Sequence, residues 1–582
     1  MPKGYLVAVL VCAAQALALA AVPPARAQVS DAPPLTPPLS PPSLTPTLPT
    51  PTPAPPLQAM PDPVPAAPEA PPSAPLAAPD AAQPESADQP PLAQETAPPA
   101  PADPVVALIR GKLADPNVRK DANEDDLAAL GAFYATRSGG PLWTTEMGFS
   151  AKGQAAISEI ERADDWGLDA AAFALPSAAE LPVNQEAQAL AEIRLDLAIL
   201  KYARFARGGR LTPLKVSELY DQSPALPDPK MVLTEIEAAD APGAYLQSLQ
   251  PKHEQFLRLR QALLKARNGG GGGEGDGTKA AALDKDSKRL ILNMERWRWM
   301  PEHLGSLYVW NNSPAFMLYV VKDGKSIFAD KTLVGTIGYA TPVFTAPMAA
   351  IVFNPDWNAP ETVVKENLLP HLREGSFSIL KTHKLSVSLN GTPVDPARVD
   401  WARVNVLNYT FSQRAGPENV LGKVKFLFPN RHTVYMHDTL QYRRKFFQKP
   451  MRAIGHECVR MEKPQLFAEV LLAEDKGWPS AQVKELWDNG VNKTIGLEHK
   501  IPVHMVYFTA VVDETGKVAS FADLYGLDNK LAAALFGNAT GFPMPPPEPK
   551  QPPAGEADAS TPAARRATAD NDFTRAMGMV GD

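Results

Sequence analysis

A cysteine and a histidine 21 positions apart are the strongest sign of chemistry in this sequence. Residues 436–461 read MHDTLQYRRKFFQKPMRAIGHECVRM and contain His437 and Cys458. The other cysteine, Cys12, lies in an apolar N-terminal run. A thiol is only a few per cent ionised at neutral pH, so a nucleophilic cysteine needs a base within hydrogen-bond reach. The spacing alone leaves open a buried structural cysteine, because nine histidines are scattered along the chain.

The neighbouring residues predict how the thiol is presented. His437 follows VYM, a pattern typical of a buried strand, so we expect its ring at a strand end. Cys458 follows the turn-like stretch IGHE, and we expect a helix after it. Backbone N–H groups at such a junction point outward and can hold an oxyanion. A thiolate, a base and oxyanion donors are the parts that nucleophilic cysteine chemistry needs, and none of them requires a metal or an organic cofactor.

Composition limits the partners and the compartment. The net charge of −7 and the lack of a long basic block argue against nucleic acid as a partner. The N-terminus has one lysine, an apolar run and the small-residue site Ala25-Arg26-Ala27, which is the layout of a signal peptide. An uncleaved membrane tether is the alternative, since residues 4–22 are almost long enough to span a bilayer. We expect an exported protein whose single remaining cysteine has no internal disulfide partner.

Changes of pattern along the chain predict six segments and an α+β fold. Residues 31–105 hold 27 of the 63 prolines and cannot bury enough surface to fold. Apolar residues then recur at helical spacing, and after a run of five glycines the pattern becomes mostly strand-like, with turn signals at KDGK and LNGT. The glycine run lacks the GK[ST] of a phosphate-binding loop. The predicted segments are a signal peptide (1–27), a disordered Pro/Ala-rich linker (28–104), a helical domain (105–267), a Gly-rich linker (268–285), a mostly β domain (286–541) and a disordered tail (542–582).

Several blocks of the sequence resemble one enzyme family. The stretches His437-Asp438-Thr439, Arg452-Ala453 and His456-x-Cys458-Val459-Arg460 are similar to the signature of L,D-transpeptidases. In that family a histidine precedes a run similar to Ser-His-Gly-Cys-x-Arg. LILNMERWRWMP, NPDWNAPETVVKENLLP, GPENVLGKVKFLFPN and IPVHMVYFTAVVDETG resemble further family segments in the same order. The resemblance covers roughly residues 106–540 and is to the long Gram-negative type, which has a helical scaffold domain and a YkuD-type catalytic domain.

The resemblance implies a mechanism. Cys458 would be the nucleophile and His437 the general base. The acyl donor would be the tetrapeptide stem of peptidoglycan, whose terminal D-alanine leaves, and an amine on another stem would resolve the thioester as a cross-link. Carbapenems are the inhibitors expected to acylate such a thiol.

The resemblance also suggests supporting roles. Arg460 would bind a substrate carboxylate, with a structural salt bridge as the alternative. His456 is expected to flank the thiol rather than to act as the base, because it is too near Cys458 in sequence. Trp357 and Tyr435 would line the cleft, with a place in the core as the alternative.

Two more supporting predictions concern the segment after His437. Asp438 and Thr439 are expected to fix the following loop through local side-chain-to-backbone bonds. The basic run Arg443-Arg444-Lys445 is interpreted as a solvated face.

The sequence departs from the family pattern at two positions, where Gly455 and Glu457 replace serine and glycine. A glutamate there could strain the turn, raise the pKa of the thiol or steer an amine acceptor. The peptidoglycan-binding module usual at this length is also missing, so wall binding would come from the scaffold domain, the cleft or a tether. A catalytically silent wall-binding protein and a cysteine hydrolase acting on stem peptides remain the alternatives.

Overall fold

The structure is a computed structural model that describes residues 103–120, 122–176, 184–269, 283–537 and 541–544. The predicted signal peptide and Pro/Ala-rich linker, the central part of the Gly-rich linker and most of the C-terminal tail lie outside these residues. No helix in the described ranges combines the length and hydropathy needed to cross a membrane.

The first part of the described chain is helical, as predicted. Its helices begin where the sequence supplies caps: the side chains of Asp103, Asn123 and Ser150 each accept a hydrogen bond from a backbone N–H of the first turn. The elements are α1 (Pro104–Lys112), α2 (Pro116–Arg119), α3 (Glu124–Thr136), β1 (Thr144–Thr145), β2 (Gly148–Phe149), α4 (Ala151–Glu161), α5 (Gln185–Ala206), α6 (Pro213–Val216), β3 (Tyr220–Asp221), α7 (Pro229–Ala238), α8 (Pro242–Ser248) and α9 (Glu254–Gly269). Most of them surround one apolar core of mainly leucine, isoleucine and alanine side chains, whereas α9 and β3 pack towards the second part of the chain.

The second part is rich in strands, which confirms the predicted α+β class. Its elements are α10 (Lys285–Arg298), β4 (Leu307–Asn312), β5 (Met317–Lys322), β6 (Lys325–Gly335), β7 (Val343–Phe353), β8 (Trp357–Asn358), α11 (Glu361–Val363), α12 (Leu369–Arg373), α13 (Ser378–Thr382), β9 (Ser386–Leu389), β10 (Thr392–Pro393), β11 (Tyr409–Gln413), β12 (Val424–Leu427), β13 (Met436–His437), β14 (Ala453–Gly455), β15 (Val459–Met461), α14 (Pro464–Lys476), α15 (Ser480–Asp488), β16 (Lys493–Val506), β17 (Ala510–Val512), β18 (Val518–Ser520) and α16 (Leu527–Phe536).

Eight of these strands close into a barrel. The hydrogen-bonded order is β12-β13-β15-β6-β5-β4-β16-β7, and β7 pairs again with β12. Closure leaves the short strands β13 and β15 paired on both sides, so they hold their residues in a fixed register.

Both predicted hairpins are present, and their turn residues explain why. Asp323 and Gly324 join β5 to β6 with φ of 48° and 77°. Asn390 and Gly391 join β9 to β10 with φ of 50° and 80°. Positive φ at both central residues matches the right-handed twist of the strands, and Asn, Asp and Gly tolerate it best.

Residues 354–421 form an insertion with a core of its own. Strands β8 to β11 make a small sheet, and α11 to α13 pack beside it around Trp357, Trp401 and Phe411. The insertion begins as β7 ends and returns the chain at β12, next to the strands that carry His437 and Cys458. The core of the insertion therefore packs against Tyr435, which directly precedes β13.

The helical domain and the barrel are joined by a strand pairing and by a common apolar cluster. Strand β3 pairs in parallel with the start of β7, with Tyr220 opposite Val343. Trp166 and Phe256 of the helical domain pack in one apolar cluster with Phe508 of the barrel. The two parts are therefore joined by a strand as well as by packed side chains.

Candidate active site

One face of three neighbouring strands collects the charged residues of the site. In the pairing of β12, β13 and β15, Lys425 lies opposite His437, and His437 lies opposite Arg460. The adjacent residues Met436 and Val459 belong to the barrel core. Because side chains alternate between the two faces of a strand, Lys425, His437 and Arg460 form a row on the other face.

Cys458 lies two residues before Arg460, directly before β15, and opposite Tyr435. The backbone N–H of Val459 donates to the carbonyl of Tyr435 at 3.2 Å, which fixes this alignment. Cys458 is half-buried and forms no disulfide within the part of the chain that the structure describes. Cys458 and His437 are thus diagonal neighbours on adjacent strands, a spacing that long side chains can bridge.

His437 is electrostatically prepared to stay neutral. Its ring is buried, and burial together with the flanking Arg460 and Lys425 lowers its pKa well below the usual value, against smaller opposite effects of the Asp438 and Leu421 backbone. Its Nδ1 atom has no hydrogen-bond partner among the described residues. A neutral imidazole with an unused ring nitrogen is the state in which a histidine accepts a proton.

The thiol experiences opposing effects. Burial raises the pKa of Cys458, and Glu457 adds to this effect. The backbone N–H of Tyr435 and the charges of Arg460 and Lys425 act in the other direction, because they stabilise a thiolate. The cations therefore favour ionisation of the thiol and deprotonation of the histidine at the same time.

The expectation of a helix directly after Cys458 is wrong. Val459–Met461 form strand β15, and the next helix, α14, begins only at Pro464. The barrel explains the difference, because β15 is needed to connect β13 with β6. The backbone amides of His456, Glu457 and Cys458 have no backbone hydrogen bonds among the described residues, so a bend rather than a helix N-terminus presents these donors.

The two departures from the family pattern have structural explanations. A Cβ atom at position 455 would meet the guanidinium of Arg460, so the glycine lets this side chain approach the backbone closely, and a larger residue would require Arg460 to shift. Glu457 does not have a positive φ, and its carbonyl accepts a hydrogen bond from Thr341 Oγ1 at 2.8 Å. Of the possible effects of Glu457, strain from a positive φ is therefore absent.

The carboxyl group of Glu457 is near a histidine of a different loop. Burial raises the pKa of Glu457, while His432 opposes that shift. His432 Nε2 lies 2.9 Å from Asp221 Oδ2, and Arg431 Nε donates to the same oxygen at 2.7 Å. Since Asp221 belongs to β3, the helical domain holds the loop that leads to Tyr435 and His437.

The His456 side chain contacts Tyr339. Its ring stacks on Tyr339, with centroids 4.0 Å apart, and the Tyr339 hydroxyl donates to Glu366 of the insertion at 3.1 Å. Burial and Arg460 lower the pKa of His456. Through Tyr339 and Glu366, the stacking links the bend at residues 456–458 to the insertion.

The residues expected to line the cleft are divided between the core and the site. Trp357 is buried in the core of the insertion, and Tyr435 packs against that core. Burial raises the pKa of Tyr435, and the neighbouring Cys458 adds to this shift. The Lys425 Nζ lies 3.9 Å from the centre of the Tyr435 ring. Tyr435 therefore connects the insertion to Cys458.

The two residues after His437 behave differently from each other. Asp438 accepts from the backbone N–H of Lys423 at 2.9 Å and from Arg444 at 3.0 Å, and the Thr439 N–H also acts on its carboxyl. The Thr439 hydroxyl is buried without a hydrogen-bond partner among the described residues. Asp438 thus fixes the segment that follows His437 and also ties β13 to the start of β12.

The interpretation of residues 443–445 as a solvated face is wrong for the first two residues. Arg443 is buried, and Arg444 donates to Asp438 and to the carbonyl of Glu462. Burial and the nearby Arg460 lower the pKa of Arg443 to about 9. Its Nε and Nη1 atoms have no hydrogen-bond partner among the described residues. The neighbouring guanidinium groups of Arg443 and Arg460 can together bind an anion such as a carboxylate.

Sequence reasoning missed Lys425 and Arg443 as parts of the site. A single lysine inside the strand pattern VKFL was the available signal for Lys425, because it must face away from the barrel core. Arg443 gave no comparable signal, since its burial depends on how the 3₁₀ turns of residues 441–448 pack on the barrel.

Comparison with known proteins agrees with this architecture. Residues 306–501 match the L,D-transpeptidase catalytic domain family, and residues 128–263 match the Scaffold domain family. The chain therefore consists, over these residues, of a Scaffold domain followed by an L,D-transpeptidase catalytic domain of the YkuD type.

A curated relative is named after the same enzyme family. A Haemophilus influenzae protein named "Putative L,D-transpeptidase" is 31% identical over 249 residues, which are 43% of this chain and 50% of the relative. The matched region thus spans about half the length of that relative.

Proposed function

We propose that this protein is a cysteine-dependent acyltransferase that cross-links peptidoglycan stem peptides in the periplasm. The observation that carries the proposal is the register of the three strands, which sets Cys458 diagonally from a neutral His437 and flanks both with Lys425 and Arg460. Acyl transfer through a thiolate needs these elements: a nucleophile, a base and positive charge near the developing anion.

The first step forms the acyl-enzyme. His437 takes the proton of the Cys458 thiol, and the sulfur attacks the carbonyl carbon of the third stem residue. A C–S bond forms and the C–N bond to the terminal D-alanine breaks. The proton held by His437 passes to the leaving amine. The unpaired amides of the bend at residues 456–458 are the donors for the oxyanion.

The second step releases the acyl group to an amine of another stem. The amine nitrogen attacks the thioester carbonyl, a C–N bond forms, and the C–S bond breaks. His437 receives the amine proton and returns it to the sulfur. Arg443 and Arg460 bind the carboxylate of the donor stem, because their guanidinium groups lie close together near Cys458.

The experiment is intact mass spectrometry of the protein after incubation with a carbapenem. We expect one covalent adduct on the wild type and none on Cys458→Ala, because the strained ring acylates an activated thiol. A second assay offers a stem tetrapeptide and an acceptor stem. Cross-linked product supports a transferase, hydrolysed tripeptide alone identifies a hydrolase, and no adduct on the wild type identifies a silent wall-binding protein.

A further inference from the structure

A carboxylate of the helical domain contacts the loop that precedes the candidate base. Asp221 lies on β3, within the residues that match the Scaffold domain, whereas His437 and Cys458 lie in the catalytic domain. The Oδ2 atom of Asp221 lies 2.7 Å from Arg431 Nε and 2.9 Å from His432 Nε2. Two consecutive side chains of the loop thus meet at one oxygen atom of the other domain.

The register of β3 explains why this carboxylate reaches the loop. Asp221 lies opposite Phe344 in the parallel pairing of β3 with β7. The ring of Phe344 packs on the ring of His432, with centroids 5.4 Å apart. The side chains of Asp221 and His432 are 25% and 20% exposed, so their contact is partly shielded from water. A shielded charge contact is stronger than one on the open surface.

The loop has a strained backbone at Thr433. This residue has a φ of 54°, in the left-handed region that a β-branched side chain rarely adopts. Such a conformation costs free energy and persists only where the surroundings fix it. Asn430 Oδ1 supplies part of the restraint, because it accepts from the backbone N–H groups of His432 and Val434 at 3.0 and 3.2 Å. Asp221 supplies a restraint from outside the loop.

The strained loop leads directly to the strand that carries the base. Two residues after Thr433, the carbonyl of Tyr435 accepts from the backbone N–H of Val459, the residue that follows Cys458. His437 lies two residues further along, on β13. Because β13 has only two residues, a displacement of the loop would reach His437 and move it relative to Cys458.

The loop of residues 430–434 also faces the bend that carries the nucleophile. Burial raises the pKa of Glu457, and His432 opposes this shift, which indicates that the two side chains are near each other. Glu457 directly precedes Cys458 in the bend. The strand of the base and the bend of the nucleophile thus both adjoin the loop that Asp221 holds.

We propose that Asp221 is a positioning residue through which the helical domain sets the placement of His437 relative to Cys458. The inference rests on the roles of base and nucleophile given to these two residues in the proposed function. Asp221 acts through Arg431 and His432 rather than on the reacting atoms. The helical domain therefore contributes to the reactivity of the thiol as well as packing beside the barrel.

The test measures the rate at which iodoacetamide alkylates Cys458 in the full-length protein as a function of pH. Asp221→Asn removes the charge and keeps the shape of the side chain. Glu218→Gln is the matched control, because Glu218 is an exposed carboxylate three residues earlier in the chain. Mass spectrometry of the peptide that contains Cys458 separates its reaction from that of Cys12. Thermal unfolding of each variant shows that it is folded.

We expect Asp221→Asn to slow alkylation at pH 7 about tenfold, because a displaced base no longer takes the proton of the thiol. On the alkaline plateau, where the thiol is already ionised, the variant should react as fast as the wild type. Glu218→Gln should match the wild type throughout. Arg431→Gln, which removes one partner of Asp221 from the loop side, should show the same pattern with a smaller loss.

Equal rates for the wild type and Asp221→Asn at pH 7 overturn the proposal. An equal loss at neutral and alkaline pH also overturns it, because that result assigns Asp221 to the fold alone. If Asp221→Asn does not fold, wild-type rates for Arg431→Gln overturn the proposal instead.

Carbapenem acylation of Cys458 is measured on the same samples and keeps the two proposals separate. Alkylation that depends on Asp221, without acylation of the wild type, supports the positioning role and rejects the acyltransferase. Acylation at equal rates in the wild type and Asp221→Asn supports the acyltransferase and rejects the positioning role.

Discussion

The side chains of His437 and Arg460 are direct neighbours on the parallel strands β13 and β15, opposite each other in register. This places a permanent cation beside the candidate base and next to the candidate nucleophile. Burial lowers the pKa of His437, and Arg460 adds to this shift. Burial raises the pKa of Cys458, and Arg460 opposes that shift. The charge of one residue therefore favours both the neutral imidazole and the thiolate.

Arg460→Gln should shift the pH profile of carbapenem acylation. Because Arg460 lowers the pKa of the thiol, its removal raises that pKa, and the rising limb of rate against pH moves to higher pH. Acylation at pH 7 should slow roughly tenfold, since a partly buried charge interaction is lost. Stopped-flow measurement of the acylation rate between pH 5 and 10 gives the position of this rising limb. An unchanged limb would show that Arg460 does not act on the thiol.

Glu457→Gln should have the opposite and smaller effect. The carboxylate raises the pKa of Cys458, so its neutral isostere moves the rising limb to lower pH. Glu457 is the weakest of the named influences, and we expect a rate change of less than about threefold at pH 7. Glu485→Gln, exposed on α15, is the control for a general loss of negative charge. A limb that moves upward would contradict the proposed sign.

Arg443→Met should separate substrate binding from thiol reactivity. If the buried guanidinium binds a stem carboxylate, kcat/KM for a stem tetrapeptide falls by about ten- to a hundredfold, the usual range for a charged hydrogen bond. Alkylation by uncharged iodoacetamide should change little, because that reagent has no carboxylate. Lys445→Met, which alters the exposed neighbour, should leave both rates near those of the wild type. Equal losses in both reactions would assign Arg443 to the fold instead.

Asp528→Ala should destabilise the protein by about 3–5 kcal/mol, because it leaves a buried charge unpaired. Asp528 pairs with Arg296 at 2.7 Å, with side-chain exposures of 0% and 3%, and this pair ties α16 to α10. Asp488→Ala removes one partner of the exposed Lys484 pair and should cost less than about 1 kcal/mol. Urea unfolding followed by far-ultraviolet circular dichroism compares the two variants. Equal midpoints would mean that the buried pair contributes no more than the surface pair.

The sequence predicted the features that depend on local patterns. The hairpin turns at Asp323-Gly324 and Asn390-Gly391 were predictable because positive φ restricts the residue type. The strand at His437 was predictable from the apolar residues before it. These signals act within a few residues of one another.

The remaining features depend on contacts between distant segments. Cys458 is followed by a strand because β15 fills the gap between β13 and β6, a requirement that the local sequence does not encode. The burial of Arg443 and the partnership of Asp221 with Arg431 likewise arise from packing across the fold. The candidate nucleophile and base were thus predictable, whereas their electrostatic surroundings were not.

Strand β3 has a consequence for how the chain can be divided. It precedes the glycine run in sequence, yet it pairs with β7, which follows that run. Phe256 and Phe508, also from opposite sides of the run, share one apolar cluster. Proteolytic cleavage between residues 269 and 283 would therefore nick the chain without releasing two proteins. The fragments are complementary parts of one folded body, and either alone would expose an unpaired backbone edge that invites aggregation.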